Sequence, residues 1–412
     1  MNLAAVLLPQ DQWKRNQLAV TCSAGFIFAG FTMILPFVPL YIQMLGVTSQ
    51  AAVAVWAGVV LGVTPLTASL AAPLWGRVAE RFGLKLMAIR ISFALFVIWA
   101  LTGFARTVFQ LFLLRFLLGL FGGFNAFSIS LATQLAPKDK MGKVIGTLQA
   151  VQVSSAAVGP LIGGLLAGWI GIRRTFLATA FFCLLSLVLF LFLYRDNPSA
   201  SLASPEELSN RPGRFREMLS LPNFLVLALL LFLVTAIDRS FSPVIPLIVA
   251  GMTATPLEAA RTAGIIISLA SVAESFAAWH SGRRISQVSP KRFLLMRLFL
   301  AAAVCLALGF AALISHFLAL RVLLALVAGG TATIAYTLAG RVIPEDRRAT
   351  GFGLLSSCSM LGGATGPVMG GLSTSISLSM IFVADSLLYA ALGMVLLLGL
   401  QGSRATASDL SP

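Results

Sequence analysis

Gly159-Pro160-Leu161-Ile162-Gly163-Gly164 and Gly366-Pro367-Val368-Met369-Gly370-Gly371 are one pattern written twice, 207 residues apart (366 minus 159). The offset reaches well beyond the pattern. It pairs Gly146 with Gly353, Pro36 with Pro243, Pro39 with Pro246, and Gly122 and Gly123 with Gly329 and Gly330. It also pairs Pro137 with Pro344 and Asp139 with Asp346. One register held over most of two halves implies duplication. A duplicated apolar half is a signature of carriers, in which two similar bundles rock about a site between them.

Composition supports the apolar reading. Hydrophobic residues make up 58% and charged residues 10%, with a mean hydropathy of +0.95, against roughly 25% charged residues in soluble domains. The sequence predicts an all-α membrane protein with twelve transmembrane helices in two pseudo-symmetric six-helix halves. The predicted spans are 17–41, 51–73, 86–104, 109–134, 144–168, 174–193, 223–250, 261–281, 293–313, 317–341, 349–373 and 379–400. Each is long enough, at 1.5 Å per residue, to cross a hydrocarbon core of about 30 Å. Residues 1–194 form the first bundle, 195–222 a cytoplasmic linker with Pro198, Pro205 and Pro212, and 223–412 the second bundle. Around Glu206 to Leu219 the linker fits either an amphipathic surface helix or a plain tether. The other connections are short, so function must sit within the helices. Leu3 to Leu8 is too short for a signal-peptide core, and no cleaved signal is expected.

The net charge of +15 raises nucleic acid as a partner, but its distribution argues against one. Lys14, Arg15, Arg77, Arg81, Lys85, Lys138, Lys140, Lys143, Arg283, Arg284, Lys291, Arg292, Arg347 and Arg348 fall at one side of the predicted spans. Arg106, Arg173, Arg174 and Arg261 fall at the other. The positive-inside rule then places both termini in the cytoplasm. No nucleic-acid partner is expected. Cys22, Cys183, Cys305 and Cys358 are expected as free thiols within spans, and His280 and His316 are isolated, so no metal site is predicted. HExxH, GxSxG and P-loop patterns are absent from the sequence, which argues against an enzyme and against nucleotide-driven transport. No cofactor is expected.

Three motifs and a few buried charges carry the functional reading. Gly76-Arg77-Val78-Ala79-Glu80-Arg81-Phe82-Gly83-Leu84-Lys85 places one carboxylate amid cations at the cytoplasmic face. It suits a latch that pairs with the opposite half in one state only, though ordinary positive-inside charges would also give it. In the predicted fourth span Arg115 precedes Gly119, Gly122 and Gly123; inside hydrocarbon a guanidinium must find water or a partner, or else snorkel to the outer interface. Arg321 lies one residue out of register with it and suits a side chain snorkelling to the interface. Gly146, Ser155, Gly159, Pro160, Gly163 and Gly164, with Gly353, Gly362, Gly366, Pro367, Gly370 and Gly371, give two bendable helices with small faces for close packing.

These motifs resemble those of the major facilitator superfamily, in its drug:proton antiporter branch. Trp13 to Asn16, Pro36 to Tyr41 and Pro73 to Lys85 are similar to that branch. Glu80 stands where the family has Asp, and the second-half counterpart, Gly282 to Lys291, has Ser286 in the acidic place. Leu118 replaces the family's Gln, and Ser155 replaces Gly in the fifth-helix antiporter motif, whose complete form lies in the eleventh helix here. The resemblance implies that Arg115 is linked to proton movement and that the antiporter motif marks an exporter.

Burial of a carboxylate in a low dielectric penalises its charge, which makes it a candidate proton carrier or cation ligand. Asp238 in the seventh span is the first candidate, then Glu274 in the eighth and Asp385 in the twelfth. The repeat sets Asp238 opposite Phe31, and both helices line the central cavity in the family's fold, so Phe31 and Arg239 are cavity candidates. Arg239 lies about 100° around the helix from Asp238, and their pairing does not follow from adjacency. The expected function is proton-coupled efflux of lipophilic drugs or other small molecules by alternating access, driven by the proton gradient. The alternative is a proton-linked transporter of one metabolite, such as a siderophore, sugar or lipid intermediate.

Overall fold

The computed structural model describes residues 11–124, 127–128, 131, 140–195, 221, 223–285, 287–344 and 348–399. The interior of the predicted linker, with Asp139 and Ser286, lies outside them. Every regular element among the described residues is a helix. We label the helices α1 (Gln12–Met44), α2 (Gln50–Phe82), α3 (Leu84–Gly103), α4 (Val108–Phe121), α5 (Met141–Ile170) and α6 (Ile172–Phe192). After the linker come α7 (Phe224–Ala250), α8 (Pro256–Arg284), α9 (Pro290–Leu308), α10 (Ile314–Gly340), α11 (Arg348–Ile376) and α12 (Met380–Gly399).

Among the described residues nine helices are long and apolar enough to cross a membrane. The predicted fourth, ninth and eleventh spans are helical too, but each falls outside that group. Helix α4 has 14 residues before its break, α9 carries Lys291, Arg292 and Arg297, and α11 is rich in Gly, Ser and Thr.

Proline and glycine shape the helices, and the two copies do not always obey them alike. At Pro36, α1 tightens into a 3-10 turn, Leu35–Phe37, before resuming with Pro39 in the first turn of Val38–Met44. The partner prolines Pro243 and Pro246 sit inside an uninterrupted α7. The glycine pairs behave alike. Gly123 and Gly330 adopt φ of 79° and 81°, a region costly for residues with a Cβ. Each ends a helix: α4 stops at Phe121, and α10 is interrupted at Gly329 and Gly330.

Helix α2 departs from expectation in length. Its 33 residues span about 50 Å, so it outruns a hydrocarbon core of about 30 Å. The segment Gly76 to Phe82, expected as a connection, is the last two turns of α2, and only Gly83, with φ of 81°, breaks the chain before α3.

Helix α5 packs against α1 and α8, while α11 packs against α7 and α2. The core is aromatic near the end of α1: Tyr41 donates to the carbonyl oxygen of Thr102 at 2.8 Å, and Phe37 meets Phe176 edge-on at 5.6 Å.

Candidate functional site

A cavity of about 30 Å³ lies among α7, α8, α10 and α12, lined by Asp238, Glu274, Arg321 and Tyr389 together with Phe241 and Gly329. Its volume suits one or two waters. Asp238 stands between two cations: Arg321 Nη2 is 3.7 Å from Oδ1, and Arg239 Nε is 3.7 Å from Oδ2. Both are ion-pair distances, longer than hydrogen bonds. Arg321 leans its guanidinium over the Phe241 ring at 4.9 Å and is 11% exposed, against 32% for Asp238 and 54% for Arg239. The snorkelling expectation for Arg321 is therefore corrected. It lies two turns inside α10, and a carboxylate on the facing helix holds it there.

Asp385 of α12 is buried as well. It is 1% exposed, and its Oδ2 accepts a 2.6 Å hydrogen bond from Ser240 on α7. Asp385 Oδ1 has no hydrogen-bond partner among the described residues. Asp238 and Ser240 thus join the two carboxylate positions through one turn of α7, with Tyr389 one turn from Asp385 on α12.

The cavity depends on the interruption of α10. Gly329 approaches α8 so closely that a Cβ there would lie 2.9 Å from the Cα of Glu274. The break frees helix carbonyls, which need other donors. Arg297 of α9 supplies them: Nε donates to Val327 O at 2.7 Å and Nη2 to Leu326 O at 2.9 Å, and Nη2 also donates to Gly329 O. Its Nη1 donates to Ser281 Oγ at 2.6 Å, tying in α8. At the matching position in the first half, Arg90 lies 3.4 Å above the Trp75 ring, and Trp75 Nε1 donates to Leu120 O at 2.6 Å.

Arg115 is not part of this cluster. It is 2% exposed and stacks 4.7 Å over Trp99, which meets Phe31 edge-on at 5.9 Å. Phe31 is half-buried.

The two glycine-rich helices make matching contacts. A Cβ on Gly159 would strike Thr32 and Ala29, and one on Gly366 would strike Arg239 and Ala236, each pair at the 207 offset. Likewise Gly163 lies on the Met33 carbonyl and Gly370 on that of Ser240. Gly164 meets Ala260 and Arg261 of α8, while Gly371 meets Ala54 and Gly58 of α2. At the opposite ends of α5 and α11, Gly146 and Gly353 meet nothing within 4 Å. The α5–α8 and α2–α11 crossings are thus tight at Gly164 and Gly371.

A family model described as Major Facilitator Superfamily matches residues 20–317 and 263–411. The chain belongs to the major facilitator superfamily. It is a multi-pass membrane transporter and not an enzyme. It is 33% identical over 365 residues to multidrug resistance protein MdtG of Salmonella paratyphi C (strain RKS4594), covering 87% of this chain and 88% of the relative. To MdtG of Klebsiella pneumoniae (strain 342) it is 34% identical over 367 residues, covering 87% and 86%. Two solved structures share the fold. A bacterial homolog of the human lysosomal transporter Spinster, inward-facing and unoccupied, superposes with a TM-score of 0.76 at 16% identity, covering 95% of this chain and 96% of that one. The nucleoside transporter NupG gives 0.73 at 13% identity, covering 93% and 98%.

The superfamily's motifs fall as follows. Of the residues expected to form a latch, Gly76 and Glu80 lie in the last turns of α2, and the Glu80 side chain is outside the described residues. Arg81 is exposed, Gly83 makes the turn and Lys85 begins α3. In α5, Ser155 O accepts from Thr32 Oγ1 at 3.2 Å; in α11, Gly362 lies on the Phe232 carbonyl. Arg297, Arg321, Ser240 and Tyr389 were not singled out for the site by sequence reasoning. For Arg297 the signal was present, since Arg90 lies at the 207 offset from it. Ser240 and Tyr389 carry no mark in the sequence, since many polar side chains occur in these spans.

Proposed function

We propose that this transporter exports lipophilic small molecules by alternating access, coupled to protons that enter through Asp238 and Glu274. The observation that carries the reading is the convergence of these two carboxylates on one small cavity with Arg321. A proton on either carboxylate removes a charge, lowers the cost of a dry intermediate and weakens the hold on Arg321, so protonation biases one state over the other. The efflux class draws on the similarity to the MdtG multidrug resistance proteins.

In this reading two six-helix halves, 1–194 and 223–412, make up a twelve-helix protein joined by the linker 195–222. The paired contacts of α5 and α11 at one offset support it. The latch around Glu80, Arg81 and Lys85 engages when the inner side closes. The protein works as a monomer in a bacterial inner membrane, with both termini in the cytoplasm and no cofactor beyond the proton gradient.

The test is transport of a panel of dyes and antibiotics in proteoliposomes under imposed pH gradients, with Asp238→Asn and Glu274→Gln at matched incorporation. Flux that follows the gradient in the wild type and is uncoupled from it in either variant supports the reading. Gradient-driven flux unchanged in both variants removes the two carboxylates from coupling, and saturation by a single compound with indifference to the rest of the panel points to a dedicated metabolite carrier.

A further inference from the structure

We infer that Trp75 and Arg90 compete for one acceptor, the Leu120 carbonyl oxygen at the break in α4, and that their exchange holds or releases the end of α2. Both are positioning residues, since neither lines the cavity of Asp238 and Glu274. The inference rests on the alternating-access reading above and adds to it a switch outside that cavity.

The internal repeat supplies the comparison. In the second half Arg297 Nε donates to Val327 O at 2.7 Å, and Nη2 donates to Leu326 O and Gly329 O. At the 207 offset the arginine is Arg90 and the Val327 carbonyl is that of Leu120. Arg90 does not hold it. Trp75 does, through the 2.6 Å bond from Nε1. The position matching Trp75 is Gly282 (75 plus 207), which has no side chain to interpose, so Arg297 meets its carbonyls directly. Ser281, whose Oγ accepts from Arg297 Nη1, is matched by Leu74, whose side chain offers no acceptor.

Arg90 is thereby left with idle donors. Its Nε, Nη1 and Nη2 are buried and make no hydrogen bond among the described residues. The Trp75 ring lies 3.4 Å from its guanidinium, and Phe121 is tilted against that ring at 5.9 Å. A ring face attracts a cation but accepts none of its in-plane N–H bonds, and a buried charge without acceptors is costly. An arginine kept at that cost in this state finds its bonds in another. The acceptors on offer are the end carbonyls of α4, which a broken helix leaves open. Trp75 touches both competitors' ground, with its ring on Arg90 and its N–H on Leu120.

Trp75 directly precedes Gly76, the first residue of the segment expected to form the latch. When the indole leaves Leu120, the last turns of α2 lose this tie to α4, and Arg90 closes the break as Arg297 does in the second half. When the indole returns, α2 is tied again and Arg90 is stacked on its ring. Neither arrangement leaves the Leu120 carbonyl bare.

The test uses the purified full-length protein in a cysteine-free background, spin-labelled at Phe82→Cys and Gln287→Cys. Both positions are exposed, one in each half, and pulsed electron resonance reads the distances between them. Trp75→Phe keeps a ring and removes the N–H. It is expected to raise the population at a second distance, that of the released α2 end, by about threefold to tenfold, the size of one net hydrogen bond. Adding Arg90→Gln cancels that gain, because no guanidinium remains to take the carbonyl, while adding Arg90→Lys instead keeps part of it. An unchanged distribution in Trp75→Phe overturns the proposal. So does a gain that persists undiminished when Arg90→Gln is added, the outcome of a purely packing role for the tryptophan. Should Trp75→Phe not fold, Arg90→Gln alone decides at a pH where the wild type shows both distances: loss of the second distance supports the exchange, and its retention overturns it. Absence of gradient-driven flux would sink the coupling reading and leave these distances standing, so the two failures are distinct.

Discussion

Arg321 on α10 and Asp238 on α7 approach to 3.7 Å beside a cavity they share with Glu274. Two helices distant in sequence are thereby held by one charge pair inside the bundle, and that pair is a point at which protonation can alter helix packing.

Neutralising one member should cost more than neutralising both. A fully buried charge left alone costs roughly 3–5 kcal/mol, but Asp238 is a third exposed, so Asp238→Asn or Arg321→Gln is expected to cost about 1–2 kcal/mol. The double variant should recover at least half of the summed loss. Thermal melting in detergent, read as a double-mutant cycle, checks this; additive losses would show that the two groups do not interact.

Glycines in one motif should differ sharply in tolerance. Gly163→Ala and Gly370→Ala drive a methyl into the Met33 and Ser240 carbonyls, and each should lower stability by about 2 kcal/mol or more, the scale of overpacking. Gly146→Ala and Gly353→Ala meet open space and should be neutral or stabilising by up to about 1 kcal/mol. Melting temperatures of the four variants decide the matter.

Arg297 should matter more than its repeat partner Arg90. Arg297→Gln strips donors from the carbonyls at the α10 break, and each charged hydrogen bond lost counts for roughly 1.5–3 kcal/mol. In the first half Trp75 keeps its own bond to Leu120, so Arg90→Gln should cost under about half as much. Chemical denaturation of both variants at matched lipid content provides the comparison.

The orientation proposed for the chain can be read from labelling. In a cysteine-free background, Ser49→Cys and Ala254→Cys should react with a membrane-impermeant maleimide added to intact cells. Phe82→Cys and Gln287→Cys should react only after the cells are opened. The reverse pattern would invert the topology.

The sequence by itself determined the all-helical membrane class. Period and length of the apolar runs require helices, because a backbone in hydrocarbon must satisfy its own hydrogen bonds. The duplication at one offset located the glycines that break α4 and α10 and those that seat α5 and α11, because close approach leaves no room for a Cβ and such positions are visible as residue types. Asp238 and Glu274 were legible for a similar reason: a carboxylate inside an apolar run is rare. Partnership was not legible. A one-residue difference in register between Arg115 and Arg321 turns a side chain by about 100°, and only the packing of α7 against α10 shows that one arginine has a carboxylate and the other has rings. Tertiary structure likewise decided that Asp385 is inside, that Arg297 holds the broken end of α10, and that Gly76 to Phe82 stays helical. Each of these depends on which helices touch, a choice made by packing between distant segments and not by local pattern.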